Sequence, residues 1–115
     1  MGNKMKRSFA KTALPLHLRR TLKGLGRDIS TARKIRSITL SDMAERASIA
    51  RSTYQRIEGG DPSVSFGAYA MVLFVLGLGD RLSQLADPGT DLIALQLTQE
   101  TLPKRIAKPK KPRAL

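Results

Sequence analysis

Ala47–Ser65 reads ASIARSTYQRIEGGDPSVS, a segment in which Tyr54 and Ile57 sit among polar and basic residues before the chain runs into Gly59-Gly60-Asp61-Pro62. Tyr54 and Ile57 are spaced to share one face of a helix. The spacing predicts a helix over Arg51–Glu58, with Gly59 or Gly60 supplying a left-handed stop. In a helix that short, anchored by those two side chains, Arg51, Ser52, Gln55 and Arg56 cannot also point inward. They are expected on the outer face, near the helix N-terminus.

Just upstream, TLSDMAERA begins with Thr39, whose hydroxyl is placed to accept from the amide three residues on, while Asp42 can bond back. Leu40, Met43, Ala44 and Ala47 give this second helix one apolar stripe. Ser48-Ile49-Ala50 leaves room only for a tight turn. Two short helices joined this way, the second with a basic outer face, form the helix-turn-helix pattern. In that pattern the N-terminal residues of the second helix enter the major groove. Arg bonds bidentately to guanine, Gln pairs with adenine, and Ser or Thr reaches bases or phosphates.

The flanks extend an all-α reading. Leu22, Leu25, Ile29, Ala32 and Ile35 recur at spacings of three and four, predicting a first helix over Leu22–Arg36. Ser65 is a plausible cap for a fourth helix running through Leu76 with Phe66, Tyr69, Val72 and Leu73. That helix is apolar nearly all round, so it is expected at the centre of the core, with a surplus face for another subunit. Asp80–Ala86 reads as a short fifth helix carrying Leu82 and Leu85. After the Asp87-Pro88-Gly89 break, Ile93, Leu95 and Leu97 alternate like a strand, while Leu92, Leu95 and Gln99 fit a helix, which is favoured. The expected organisation is a basic N-terminal arm over 1–21, a DNA-binding domain over 22–86, a partner or dimer segment over 87–102, and a basic disordered tail over 103–115.

Composition narrows the function classes. The chain has 115 residues, one small domain with extensions, and no cysteine, which suits a reducing cytoplasm. Its longest apolar run, AYAMVLFVLGLG, is too short for a membrane span, and no secretory signal is evident. The net charge of +12 is uneven: residues 1–27 carry eight bases and no acid, and residues 103–115 carry six bases. The middle holds seven bases and nine acids. Basic ends of this kind favour a polyanion, because they release its counterions on binding. Lys4, Lys6, Arg7, Lys11, Arg19 and Arg20 form the arm expected to meet it. His17 is the only histidine and reads as a surface residue, so a Ser/His/Asp triad or a histidine metal site lacks its parts. The GLG triplets at Gly24–Gly26 and Gly77–Gly79 lack the rest of a dinucleotide fingerprint and read as helix-boundary glycines. No enzyme activity, metal or cofactor is expected.

Over Leu25–Leu78 the chain resembles the five-helix, lambda-repressor-like DNA-binding domain of the Cro/C1-type (XRE) regulators, most specifically in RSTYQRIEGG. The resemblance implies base readout by Arg51, Ser52 and Arg56, phosphate contacts near Thr39 and Thr53, and a partly buried ion pair between Arg33 and Glu58. Two positions depart from the family. Leu40 stands where glutamine usually bonds the DNA backbone, which puts that contact in question. Ala50 replaces the usual Ser or Thr cap, at a cost of about 0.5–2 kcal/mol. Leu76–Ile106 is similar to the C-terminal part of HipB-like regulators encoded beside HipA-type kinases. That implies a dimeric antitoxin, in the cytoplasm and on the nucleoid, which binds a palindromic operator, represses its own operon and engages a serine/threonine kinase toxin. Two other readings compete: a basic RNA-binding structural protein, disfavoured by few aromatic stacking platforms, and a kinase-binding protein whose DNA contact is secondary.

Overall fold

A computed structural model of the protein describes residues 13–100. Lys4, Lys6, Arg7, Lys11 and the tail over 103–115 lie outside the described residues. The described chain is helical without strands: α1 (Leu16–Ile35), α2 (Leu40–Arg46), α3 (Arg51–Glu58), α4 (Phe66–Val75), 3-10 turns at Gly79–Gln84 and Pro88–Thr90, and α5 (Leu92–Glu100). Among the described residues, those up to Asp80 form one compact unit and those from Arg81 a second. No helix among the described residues is long and apolar enough to cross a membrane.

Helix α1 starts at Leu16, inside the segment expected to be an arm and ahead of the expected Leu22. Pro15 precedes it, with φ −55° already fixed near helical values. The ladder opens with the Arg19 amide donating to the Pro15 carbonyl at 3.0 Å, and Leu16–Lys23 contains no helix breaker. At the other end Ile35 leaves the apolar stripe and is 75% exposed. Each step of three residues falls about 60° short of a full turn, so two successive steps from Ile29 carry Ile35 well round the helix. The stripe continues instead through Ile29 to Arg33, both buried.

The core gathers Ile29, Met43, Ala44, Ala47, Tyr54, Ile57, Tyr69, Val72 and Leu76, all in the first unit. Helix α3 packs against α1 and α2, and α2 also touches α4. Met43 and Ala44 of α2 bury as their spacing predicts, and so do Tyr69 and Val72 of α4. Phe66 and Phe74 stay on the outer side of α4, 66% and 70% exposed. Thr39 caps α2 by accepting from the Asp42 amide at 3.0 Å, and Ser65 caps α4 by accepting from the Ala68 amide at 3.1 Å.

Helices α1 to α4 all stop the same way. A residue with positive φ follows each: Ser37, Ser48, Gly60 and Gly77. The next amide then reaches back to a carbonyl in the last turn: Ile38 to Arg33, Ile49 to Ala44, Asp61 to Arg56, and Leu78 to Leu73. This is the Schellman arrangement. At two of the four a serine adopts the left-handed backbone, which costs a residue with a Cβ about 1–2 kcal/mol. At Gly60 a side chain meets a second obstacle, because its Cβ would collide with the Leu22 carbonyl of α1. Gly26 is no boundary glycine, since it lies inside α1, where a Cβ would strike the Glu58 carbonyl. The two glycines let α1 lie directly on the C-terminal end of α3. The expected fifth helix is a 3-10 turn over Gly79–Gln84. The ambiguous segment is the helix α5, whose first amides at Ile93 and Ala94 donate to the Asp91 carboxylate, each at 3.1 Å.

Candidate nucleic-acid interface

Tyr54 and Ile57 are fully buried, which fixes the roll of α3 about its axis. One turn of helix separates Arg51 from Gln55, and Ser52 lies beside them on the side away from the core. All three are exposed. The turn before α3 is made by Ser48 and ends at Ala50, which offers no side-chain cap. The first amides of α3 therefore have no side-chain acceptor from their own cap. They lie at the end of the helix that carries Arg51 and Ser52.

Arg33, Tyr54 and Glu58 hold this roll electrostatically. Arg33 is 8% exposed. Its Nε donates to Glu58 Oε2 at 2.7 Å, and its Nη1 donates to the Ile38 carbonyl at 2.8 Å. The Tyr54 hydroxyl donates to the same carboxylate oxygen. Burial pulls the Glu58 carboxyl up, but the hydrogen bonds from Arg33 and Tyr54 and the Arg33 charge overcome it and hold the carboxyl below its usual range. The hydrogen bond to Glu58 raises Arg33 further against the opposing effect of burial. Burial, then the Glu58 acceptor, pushes the Tyr54 phenol above its ordinary range. The three groups tie the C-terminal part of α1 to α3 and stay charged or protonated as the pairing requires.

Arg56 differs from the expectation of a free outward guanidinium. Its Nε donates to Asp61 Oδ2 at 3.0 Å and its Nη2 to the Ser63 hydroxyl at 2.9 Å. Asp61 Oδ1 accepts from the Ser63 amide at 2.8 Å and from the Ser63 hydroxyl at 2.7 Å. The Tyr69 hydroxyl donates to the Asp61 carbonyl at 2.9 Å, and burial first, then the Asp61 charge, raises that phenol to about 12. Arg56 thus braces the loop between α3 and α4, with part of its guanidinium left at the surface.

Thr53 is half-buried and lines a shallow cleft with Ala50, Arg56, Ser63 and Ser65. Thr39 is exposed at the start of α2, with its hydroxyl used as a cap. Arg20 is exposed on α1, while Arg19 is half-buried. Arg51, Ser52 and Gln55 therefore form one surface, with Thr53 and Arg56 at its edge.

Two parts of the site went unread in the sequence: the Tyr54 hydroxyl on Glu58 and the Asp61–Ser63 brace. The signal for the brace was present, since an aspartate two residues before a serine, next to proline, is an Asx-turn pattern. The chain matches no family model, no curated protein and no solved structure.

Proposed function

We propose that the protein is a sequence-specific duplex-DNA-binding repressor with a lambda-repressor-like domain, acting as a dimer on a palindromic operator. One observation carries the reading: Arg51, Ser52 and Gln55 are exposed together on α3, whose opposite face is pinned by fully buried Tyr54 and Ile57. A helix so fixed presents forked and amide donors at a set angle, as base readout requires. Thr39, Thr53 and the braced Arg56 supply backbone positioning, which sets register without reading sequence. Arg51→Ala and Gln55→Ala should each cost about 1–3 kcal/mol at the cognate site with little effect on random DNA. Equal losses on both DNAs would remove the readout.

The antitoxin role rests on the likeness of Leu76–Ile106 to HipB-like regulators. A second observation supports a protein-binding task for that part: α5 exposes Leu92 and Ile93 by 79% and 70%. In this reading the segment over 87–102 engages a serine/threonine kinase toxin. Co-purification of such a kinase with the full chain, lost on truncation at Asp87, is the expected result. A kinase held equally well by the truncated chain would count against the segment.

A further inference from the structure

Arg19 and Lys23 stand one turn apart on α1, and with Arg56 they line a cleft of about 410 Å³ whose other walls are Gly59, Gly60, Asp61 and Pro62. All of these residues belong to the first compact unit. The close glycine packing of α1 on the end of α3 is what brings the Arg19 and Lys23 stems to the loop. Arg19 Nε is shut off from solvent and has no hydrogen-bond acceptor among the described residues. Asp61 is the acid in the wall, and its two carboxylate oxygens accept from Arg56 and Ser63. Arg56 is bonded to that carboxylate, and Arg19 and Lys23 add two further positive charges to the wall.

A planar fork beside a compact ammonium fits an oxyanion with several acceptor oxygens, which is the chemistry of a phosphate group. The cleft also adjoins the candidate interface, because Arg56 lines both it and the shallow cleft of Thr53 and Ser65. A sugar-phosphate strand passing Thr53 toward α1 would meet Arg56 first and then Arg19 and Lys23.

We infer that Arg19 and Lys23 form a phosphate-binding cleft whose occupant is a backbone phosphate of the duplex that α3 reads. The inference rests on the DNA reading above. A free phosphate ester offers the same chemistry, so the test has two arms. Full-length wild-type protein is compared with R19Q, K23Q and the double variant, each checked for helix content by circular dichroism. In the first arm, affinity for a selected site and for random duplex is followed against salt. The double variant loses affinity equally on both, and its slope of log affinity against log salt is shallower by about 0.9 per lost contact. An unchanged slope, with wild-type protein binding DNA, overturns the cleft and leaves the α3 reading standing. In the second arm, inorganic phosphate is titrated while the Arg19 Nε–Hε resonance is observed. A shift lost in K23Q, together with no duplex binding at any salt, keeps the cleft, assigns it to a free phosphate ester and removes the DNA reading. No shift and no duplex binding overturn both.

Discussion

Helices α3 and α5 are close in length, eight and nine residues, and opposite in character. The polar one is anchored and the apolar one is exposed. Helix α3 has two large apolar residues, Tyr54 and Ile57, and both are fully buried. Helix α5 has Leu92, Ile93, Leu95 and Leu97, all exposed. The difference lies in focus. Tyr54 and Ile57 fall on one side of their helix, with Glu58 adjoining to meet Arg33, whereas the four residues of α5 are spread round its circumference. Apolar content alone does not bury a helix; a narrow stripe facing a filled core does. What remains polar on a helix pinned that way is held at a fixed orientation, and a recognition surface depends on that.

The sharpest way to break the contrast is to remove the ionic anchor of α3. Glu58→Ala leaves Arg33 buried without its carboxylate, and unfolding should become easier by about 3–5 kcal/mol, read by urea denaturation. Alkaline titration addresses the same anchor through Tyr54, and the loop after α3 through Tyr69. The phenols of Tyr54 and Tyr69 lie above their ordinary value in the folded chain. A raised pKa stabilises the fold below the unfolded value and loses that contribution as pH rises. The melting temperature should hold steady up to about pH 10 and fall between there and about 12. Tyr54→Phe with Tyr69→Phe should flatten that fall. Glu58 has the opposite sign: its depressed pKa supports the fold above the ordinary carboxylate range, and that support is lost as pH drops through the depressed value.

Smaller effects sharpen the comparison. Ala50→Ser should supply the absent cap of α3 and raise stability by about 0.5–2 kcal/mol, without moving the residues that face outward. A loss of stability would mean that the Ala50 backbone does not sit as a cap. Leu92→Ser on α5 should change stability by less than about 0.5 kcal/mol, as expected of a surface position. A larger loss would show that α5 is buried in a contact of its own.

The anchors of α3, the stripe of α2 and the caps at Thr39 and Ser65 were legible because each depends on local spacing. Arg33 and Glu58 entered through family likeness, although Arg33 falls one turn after Ile29 on the apolar stripe, a position where a charge needs a partner. The start of α1 was misplaced because the residues before Leu22 show a proline and no sustained periodicity, yet Arg19 and Arg20 are good helix formers. The left-handed serines Ser37 and Ser48 were hidden because the conformation is imposed by helix-end hydrogen bonds and not favoured by the residue. The brace of Arg56 on Asp61 and Ser63 was missed for a different reason. A guanidinium on an outer face reads the same in sequence whether it is free or bonded to the next loop.

The most direct test of the central claim is selection of bound duplexes from a random pool by the purified chain, followed by affinities of the winner and of unrelated DNA at one salt concentration. A two-fold symmetric site bound roughly 10³-fold or more tighter than unrelated sequence is expected, with Arg51→Ala and Gln55→Ala each erasing much of that ratio. Uniform binding of all duplexes at every ionic strength would contradict it.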